Sequence, residues 1–321
     1  MLKISRIIAK FIFFLYFLSK YRNRKIAFYL AHRRFPMELS KNVSRKGNNI
    51  VFEKNGNQVS IVHLERLMIL YTEFIELLEH AGTKIVSSNE QYFRMTFQGI
   101  SLDIHSYSNL GIAYELFIEK LYDFSFPKNN YIVLDIGMNV GIASLLFANN
   151  KNVEKVFSYE PFPNTFKEAL SNIALNPSAI TEKITANNAG VSDKAAFLEV
   201  PQVESGDASG SVTSFMIDGV LSNNTVKVEV RDLVEDLMKI ESSFPENPIF
   251  LKIDCEGEEY NIIPHLVQSS AIDKVDSMVI EWHQKGPDAL ISALNSKGFI
   301  TMHKPHLLAN CGLIYAYKVH A

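Results

Sequence analysis

The 321-residue chain has two cysteines, Cys255 and Cys311, and neither a Cys-x-x-Cys pair nor a Cys/His cluster. That excludes a disulfide framework and a structural zinc site, and makes a reducing, cytoplasmic setting the expectation. Long hydrophobic runs are missing from the N-terminal head, whose longest apolar stretch is Phe11 to Leu18. A membrane span needs about 20 such residues. A secretory signal is disfavoured as well, because Lys20, Arg22, Arg24 and Lys25 follow that stretch and no small-residue cleavage site appears. There is no internal repeat and no low-complexity tract.

Charge is unevenly spread. Residues 1–48 carry twelve Lys/Arg and one acid, Glu38, while the whole chain is at −3. A basic head on an acidic body suggests that the head has its own anionic partner. The pattern leaves two readings open: a peripheral contact of residues 1–35 with an anionic membrane surface, or a helix packed on the protein or on a second subunit. Nucleic acid is not expected, since the aromatics form one block instead of interleaving with the bases. Oligomeric state is not legible.

Three segments are expected: a basic amphipathic helical segment over 1–45, a small α/β cap over 46–108, and a main domain over 109–321. Residues 41–57 are polar with two glycines and read as a linker or loop. His63–His80 has apolar residues at helical spacing, and 84–104 holds short β-like runs with Gln98–Gly99 as a tight turn. From about 109 onward strands and helices alternate, which implies a doubly wound α/β sheet with helices on both faces. Residues 195–200 read as an edge strand, and a further strand is expected at 226–230. In such a sheet, ligands bind at the carboxyl ends of the strands where strand order reverses.

That rule selects the chemistry. The strand 131–136 ends in Asp135, followed by a turn through Gly137, Asn139 and Gly141. Asn139 stands where a dinucleotide fingerprint has its second glycine. An acid and an amide suit a ligand bearing an ammonium and a sulfonium better than a pyrophosphate, which needs bare backbone N–H groups. Glu160 ends the next strand, 19 residues beyond Gly141, where an acid accepts from ribose hydroxyls. Phe162 is a candidate for the adenine face. Asn187 and Asn188 follow the third strand, near an adenine edge. Asp254 and Glu256 end the strand 249–253, with Lys252 sharing the Asp254 face. His283 and Trp282 end the strand 277–281 as candidate base and substrate wall. Asp254, Glu256, Glu281 and His283 lack a tight ligand spacing, so no metal site is assigned. Cys255 reads as a small core residue.

The ordered set DIGMNVG (135–141), YEPFPNTF (159–166), SNIALNP (171–177), NNAGVSD (187–193) and FLKIDCEGEE (250–259) resembles the FkbM-type methyltransferases across roughly residues 130–285. The resemblance implies a Rossmann-like class I methyltransferase fold with a mostly parallel seven-stranded sheet. It implies S-adenosyl-L-methionine as donor and a hydroxyl oxygen of a sugar, glycan or other small molecule as acceptor. It carries over a cofactor loop of Asp135, Gly137, Asn139 and Gly141, with Glu160 on the ribose, Asn188 and Ala189 at the adenine, and Asp254 and Glu256 at the reaction centre. Met138 replaces the usual alanine, and Arg231 stands at a position commonly held by Thr or Ser. Asp254 or His283 is the expected proton acceptor. The rival expectation is a methyltransferase-like scaffold without activity. Substrate selection is expected in the 58–108 cap and the Ser/Gly-rich 201–225 insertion.

Overall fold

The computed structural model describes residues 2–32, 43–123, 129–201, 225–306 and 310–318. The chain divides into two compact units at Leu121/Tyr122.

The first unit opens with helices α1 (Leu2–Tyr21) and α2 (Arg24–His32). Their junction is pinned by Arg45, whose guanidinium donates to the carbonyls of Tyr21 and Arg22 at 3.0 and 3.1 Å. The polar 41–57 stretch, expected as a linker, instead supplies β1 (Val43–Lys46), β2 (Asn49–Phe52) and the start of β3 (Asn57–Ser60), an antiparallel meander. Its apolar residues are few because one buried face suffices: Val43, Ile50, Phe52 and Val59 turn inward. The helical periodicity of 63–80 resolves into α3 (Ile61–Leu67) and α4 (Tyr71–Glu79), joined by a 3₁₀ turn at Met68–Leu70. Next comes a second antiparallel sheet, β4 (Lys84–Ser88), β5 (Phe93–Phe97) and β6 (Ile100–Ile104). Gln98 and Gly99, both at positive φ, form the expected two-residue turn between β5 and β6. Helix α5 (Tyr107–Phe117) starts on a Ser106–Asn109 capping box and belongs to this unit, although the alternating pattern begins the second domain at 109.

The second unit is built on one sheet. Its strands are β7 (Tyr131–Ile136), β8 (Val153–Tyr159), β9 (Ile184–Asn187), β13 (Ile249–Ile253), β14 (Ser277–His283), β15 (Phe299–Pro305) and β16 (Cys311–Lys318). Their spatial order is β15-β16-β14-β13-β7-β8-β9. The first five in sequence run parallel, and β16 inserts antiparallel between β14 and β15. This is the Rossmann-like class I methyltransferase topology that the motif resemblance implies. Between them run α6 (Ile142–Asn149), α7 (Pro163–Ala174), α8 (Ser178–Thr181), α9 (Leu233–Ser243), α10 (Glu259–Gln268) and α11 (Asp288–Ser296). Every residue of β7 and β13 is buried, as expected for central parallel strands covered on both faces. Leu134, Ile136, Leu251 and Ile253 join Leu237, Ile262 and Leu266 in one core, and Phe147 and Phe250 meet edge to face.

A separate small sheet consists of β10 (Gly190–Ser192), β11 (Ala196–Pro201) and β12 (Thr225–Asp232), with β12 in the middle. The strands expected at 195–200 and 226–230 therefore pair with each other, off the main sheet. Residues 202–224, nearly all of the insertion, lie outside the described residues.

Candidate functional site

Strand order reverses between β7 and β13, and the register there aligns three polar residues across the core. Lys252 pairs with Asp135, and Asp135 with Ser158. All three side chains are buried. Helix α6 adds Ser144, whose hydroxyl donates to Asp135 Oδ2 at 2.5 Å and lies 2.8 Å from Ser158 Oγ. Lys252 Nζ sits 3.1 Å from Asp135 Oδ1 and 3.6 Å from Asp254 Oδ2, and donates to the carbonyls of Gly137 and Ile136. Burial acts to lower the Lys252 pKa, but attraction from Asp135 and Asp254 outweighs it and the net shift is upward. The ammonium thus ties the glycine turn to the end of β13.

The turn itself is closely shaped. Gly137 has φ +80°, and a Cβ there would lie 1.7 Å from the Asp254 carbonyl oxygen. Asn139 and Gly141 also have positive φ, and Gly141 caps α6. Each backbone N–H from 137 to 141 already has an acceptor. Gly137 and Met138 donate to the Tyr159 carbonyl, Asn139 to Glu160 Oε2, Val140 to Asn139 Oδ1, and Gly141 to the Met138 carbonyl. Met138 is buried, so its bulk is directed into the protein.

Glu160, at the end of β8, accepts from the N–H of Asn139 and of Phe162, each at 3.0 Å. Burial raises its pKa from 4.5 to about 7 against the pull of those two donors. Asn188 donates to the carbonyls of Glu160 and Pro161 and fixes the strand end, while Ala189 is buried beside it. Phe162 packs with Val200 and Val228 of the small sheet. Arg231 bridges Asn187 Oδ1 at 3.0 Å and Glu229 at 2.7 Å, joining β12 to the end of β9. A cavity of 440 Å³ flanks Arg231 between β11, β12 and α9, lined by charged groups such as Glu235 and Lys239. Neither Glu160 nor Asp254 lines it.

At the end of β13, Asp254 Oδ2 accepts from Tyr122 Oη at 3.3 Å. Glu256 has φ +54° and lies 3.6 Å from His283 Nε2. Glu259, fully buried, accepts from the N–H of Gly257 and of His283 and lies 3.2 Å from His283 Nδ1. Burial of His283 opposes its charged form, but the Glu259 bond and the nearby Glu256 and Asp254 charges prevail and raise its pKa to about 9. Glu281 lies 3.9 Å from Nε2. Burial and adjacent carboxylates push the Cys255 thiol up, so it stays protonated. Trp282 is buried and stacks at an angle near His303. Among the described residues, no group of three or more His, Cys, Asp or Glu is placed to hold a metal ion.

The carboxyl ends of β7, β8, β13 and β14 therefore bring Asp135, Gly137, Asn139, Gly141, Glu160, Asp254, Glu256 and His283 together. Two positions differ from a simple ligand-lining picture: Asp135 is enclosed by Lys252 and Ser144, and Phe162 is engaged by the small sheet. Glu259 closes the motif at 250–259 without being assigned a role there, and Tyr122 lies outside the motifs. An acid in the first turn of α10, just after Gly257, is a signal that finds Glu259. Nothing in the local pattern singles out Tyr122.

A profile of the Methyltransferase FkbM domain matches residues 135–301. Methyltransferase 1 of Beauveria bassiana (strain ARSEF 2860) is 27% identical over 213 residues, covering 60% of this chain and 81% of that protein. Among solved structures, the methyltransferase FkbM of Methylobacillus flagellatus KT aligns with a TM-score of 0.41 and 15% identity over 66% of this chain. The chain spans about half of that protein, 53%. TrmK of M. capricolum in complex with S-adenosyl-homocysteine aligns with a TM-score of 0.34 and 12% identity, over 63% of this chain and 70% of that one. With the domain profile covering just over half of the sequence and the strand order that goes with it, this chain belongs to the FkbM methyltransferase family.

Proposed function

We propose that this methyltransferase takes its methyl group from S-adenosyl-L-methionine and delivers it to a hydroxyl oxygen of a sugar, a glycan or another small molecule. The observation that carries the reading is the glycine turn. Its five backbone N–H groups are consumed within the protein, so the turn has no backbone donor left to cradle a pyrophosphate. Carboxylates gather there instead, and they suit a phosphate-free adenosyl cation. Residues and ligand chemistry fit on that ground. When bound, the donor supplies a methyl group already activated by its sulfonium charge.

Glu160 holds the ribose hydroxyls on oxygens whose orientation two backbone N–H groups fix. Asn188 and Ala189 border the adenine, and Phe162 supports that edge from behind. Asp254 takes the proton of the acceptor hydroxyl, its carboxylate positioned by Tyr122 and Lys252. Glu256 orients the acceptor. His283 is an imidazolium at neutral pH, so it anchors Glu256 and does not serve as the proton acceptor. Much of the rate comes from positioning, because the donor needs no further activation.

The test is transfer of a radiolabelled methyl group from S-adenosyl-L-methionine into fractionated cell extract. Label is expected in a small-molecule or glycan fraction as a methyl ether, with Asp254→Asn reducing it at least roughly a hundredfold. Label confined to nucleic acid or protein, or full activity in Asp254→Asn, contradicts the reading.

A further inference from the structure

Helix α1 has two faces with different fates. Near its carboxyl end Phe17 and Tyr21 are buried, and Tyr21 Oη lies 2.9 Å from Tyr71 Oη, which fixes the helix to the first unit. Ile7, Ile8, Phe11, Ile12 and Leu15 are 48% to 68% exposed. Their spacing of i, i+1, i+4, i+5 and i+8 puts all five on one side of the helix. Phe28 and Tyr29 of α2 are exposed as well. Large apolar side chains clustered in this way are a surface awaiting an occupant.

Charge identifies the occupant. Residues 1–37 contain nine Lys/Arg and no Asp or Glu. Lys10, Arg22, Arg24 and Lys25 are exposed. A second copy seated on this stripe would bring two uncompensated basic segments together, which like-charge repulsion opposes. A protein partner with an acidic rim is the remaining competitor, and the comparison of anionic with neutral vesicles separates it from a lipid surface. Helix α1 is also not long and apolar enough to cross a membrane; no described helix is. An apolar stripe of Ile, Phe and Leu with flanking bases and no acid matches the anionic headgroup layer of a bilayer.

We infer that α1 and the start of α2 form a docking surface for an anionic lipid membrane, with Ile7, Ile8, Phe11, Ile12 and Leu15 entering the acyl boundary and Lys10, Arg22, Arg24 and Lys25 meeting lipid phosphates. This goes beyond the methyl-transfer reading and does not depend on it. It places the protein at a surface and leaves the donor and acceptor unchanged.

The experiment is flotation of the full chain with vesicles of phosphatidylcholine alone or with about one third phosphatidylglycerol. The chain is expected to float with the anionic vesicles at low salt, and roughly tenfold less with the neutral ones. High salt weakens the anionic binding. The triple variant Ile8→Glu/Phe11→Glu/Ile12→Glu alters exposed positions only and is expected to stay folded and lose flotation. A charge variant, Lys10→Glu/Arg24→Glu/Lys25→Glu, provides a second route and loses the preference for anionic lipid. Absence of flotation by the unaltered chain overturns the inference, and so does flotation of both variants with anionic vesicles at the level of the unaltered chain. Sedimentation velocity without lipid adds a third arm. A stable dimer that the triple variant converts to monomer would assign the stripe to self-association and overturn the inference.

Discussion

Lys252 Nζ and Asp135 Oδ1 lie 3.1 Å apart in the middle of the sheet, on side chains that are 2% and 0% exposed. The pair joins the two strands between which strand order reverses. The same ammonium holds the carbonyls of Ile136 and Gly137 and approaches Asp254. One buried cation thus couples the glycine turn to the end of β13, and the four carboxylate and carbonyl partners offset the cost of desolvating it.

Removing one partner leaves the other charge buried and unpaired. Lys252→Met is expected to lower unfolding free energy by about 3–5 kcal/mol, measured by urea denaturation. Replacing both, as Asp135→Leu/Lys252→Met, should cost clearly less than the two single changes added together. Additive losses would mean that the two groups do not act as a pair.

Gly137→Ala tests the close approach of the turn to β13. The positive φ alone costs about 1–3 kcal/mol for a residue with a side chain. The added Cβ also meets the Asp254 carbonyl at 1.7 Å, so the turn and the Asp254 strand end must move apart. The expected outcome is a fall in both melting temperature and cofactor affinity. A variant with wild-type affinity would show that the turn is not seated as described.

The pH dependence of stability reports on His283. Its pKa rises from 6.5 to about 9 in the folded chain. The stabilisation is therefore complete below the unfolded value and is lost as pH climbs from about 6.5 through about 9. The size is about 3 kcal/mol for a side chain only 11% exposed. His283→Asn should flatten the unfolding free energy across that window. An unchanged slope would place the titration elsewhere.

Much of this site is legible in the chain because strand-end residues declare themselves. Asp135, Glu160 and Asp254 each close an apolar run, and the turn glycines follow. The alternating pattern from about residue 130 likewise carries the parallel sheet. What escapes is what depends on tertiary partners. The sequence marks Asp135 as an acid at a ligand-binding edge, but only the register with Lys252 encloses it. Tyr122 reaches Asp254 across 132 positions, a distance no local pattern encodes. The meander over 43–60 is hidden because its buried face needs only four apolar residues, Val43, Ile50, Phe52 and Val59, among polar neighbours. Two strands of the small sheet, β11 and β12, are legible as strands, but β10 is not, and neither is the pairing, since β11 and β12 are separated by residues 202–224.

Calorimetric titration of the full chain with S-adenosyl-homocysteine, repeated across pH, tests the central claim most directly. A buried Glu160 titrating at about 7 must be ionised to accept the ribose hydroxyls. The affinity should then weaken roughly tenfold for each pH unit below that value. Glu160→Gln should bind about ten to a hundredfold more weakly above it, with a flat pH profile. Binding that is absent in the unaltered chain, or that Glu160→Gln leaves intact, would contradict the adenosyl site proposed at the ends of β7 and β8.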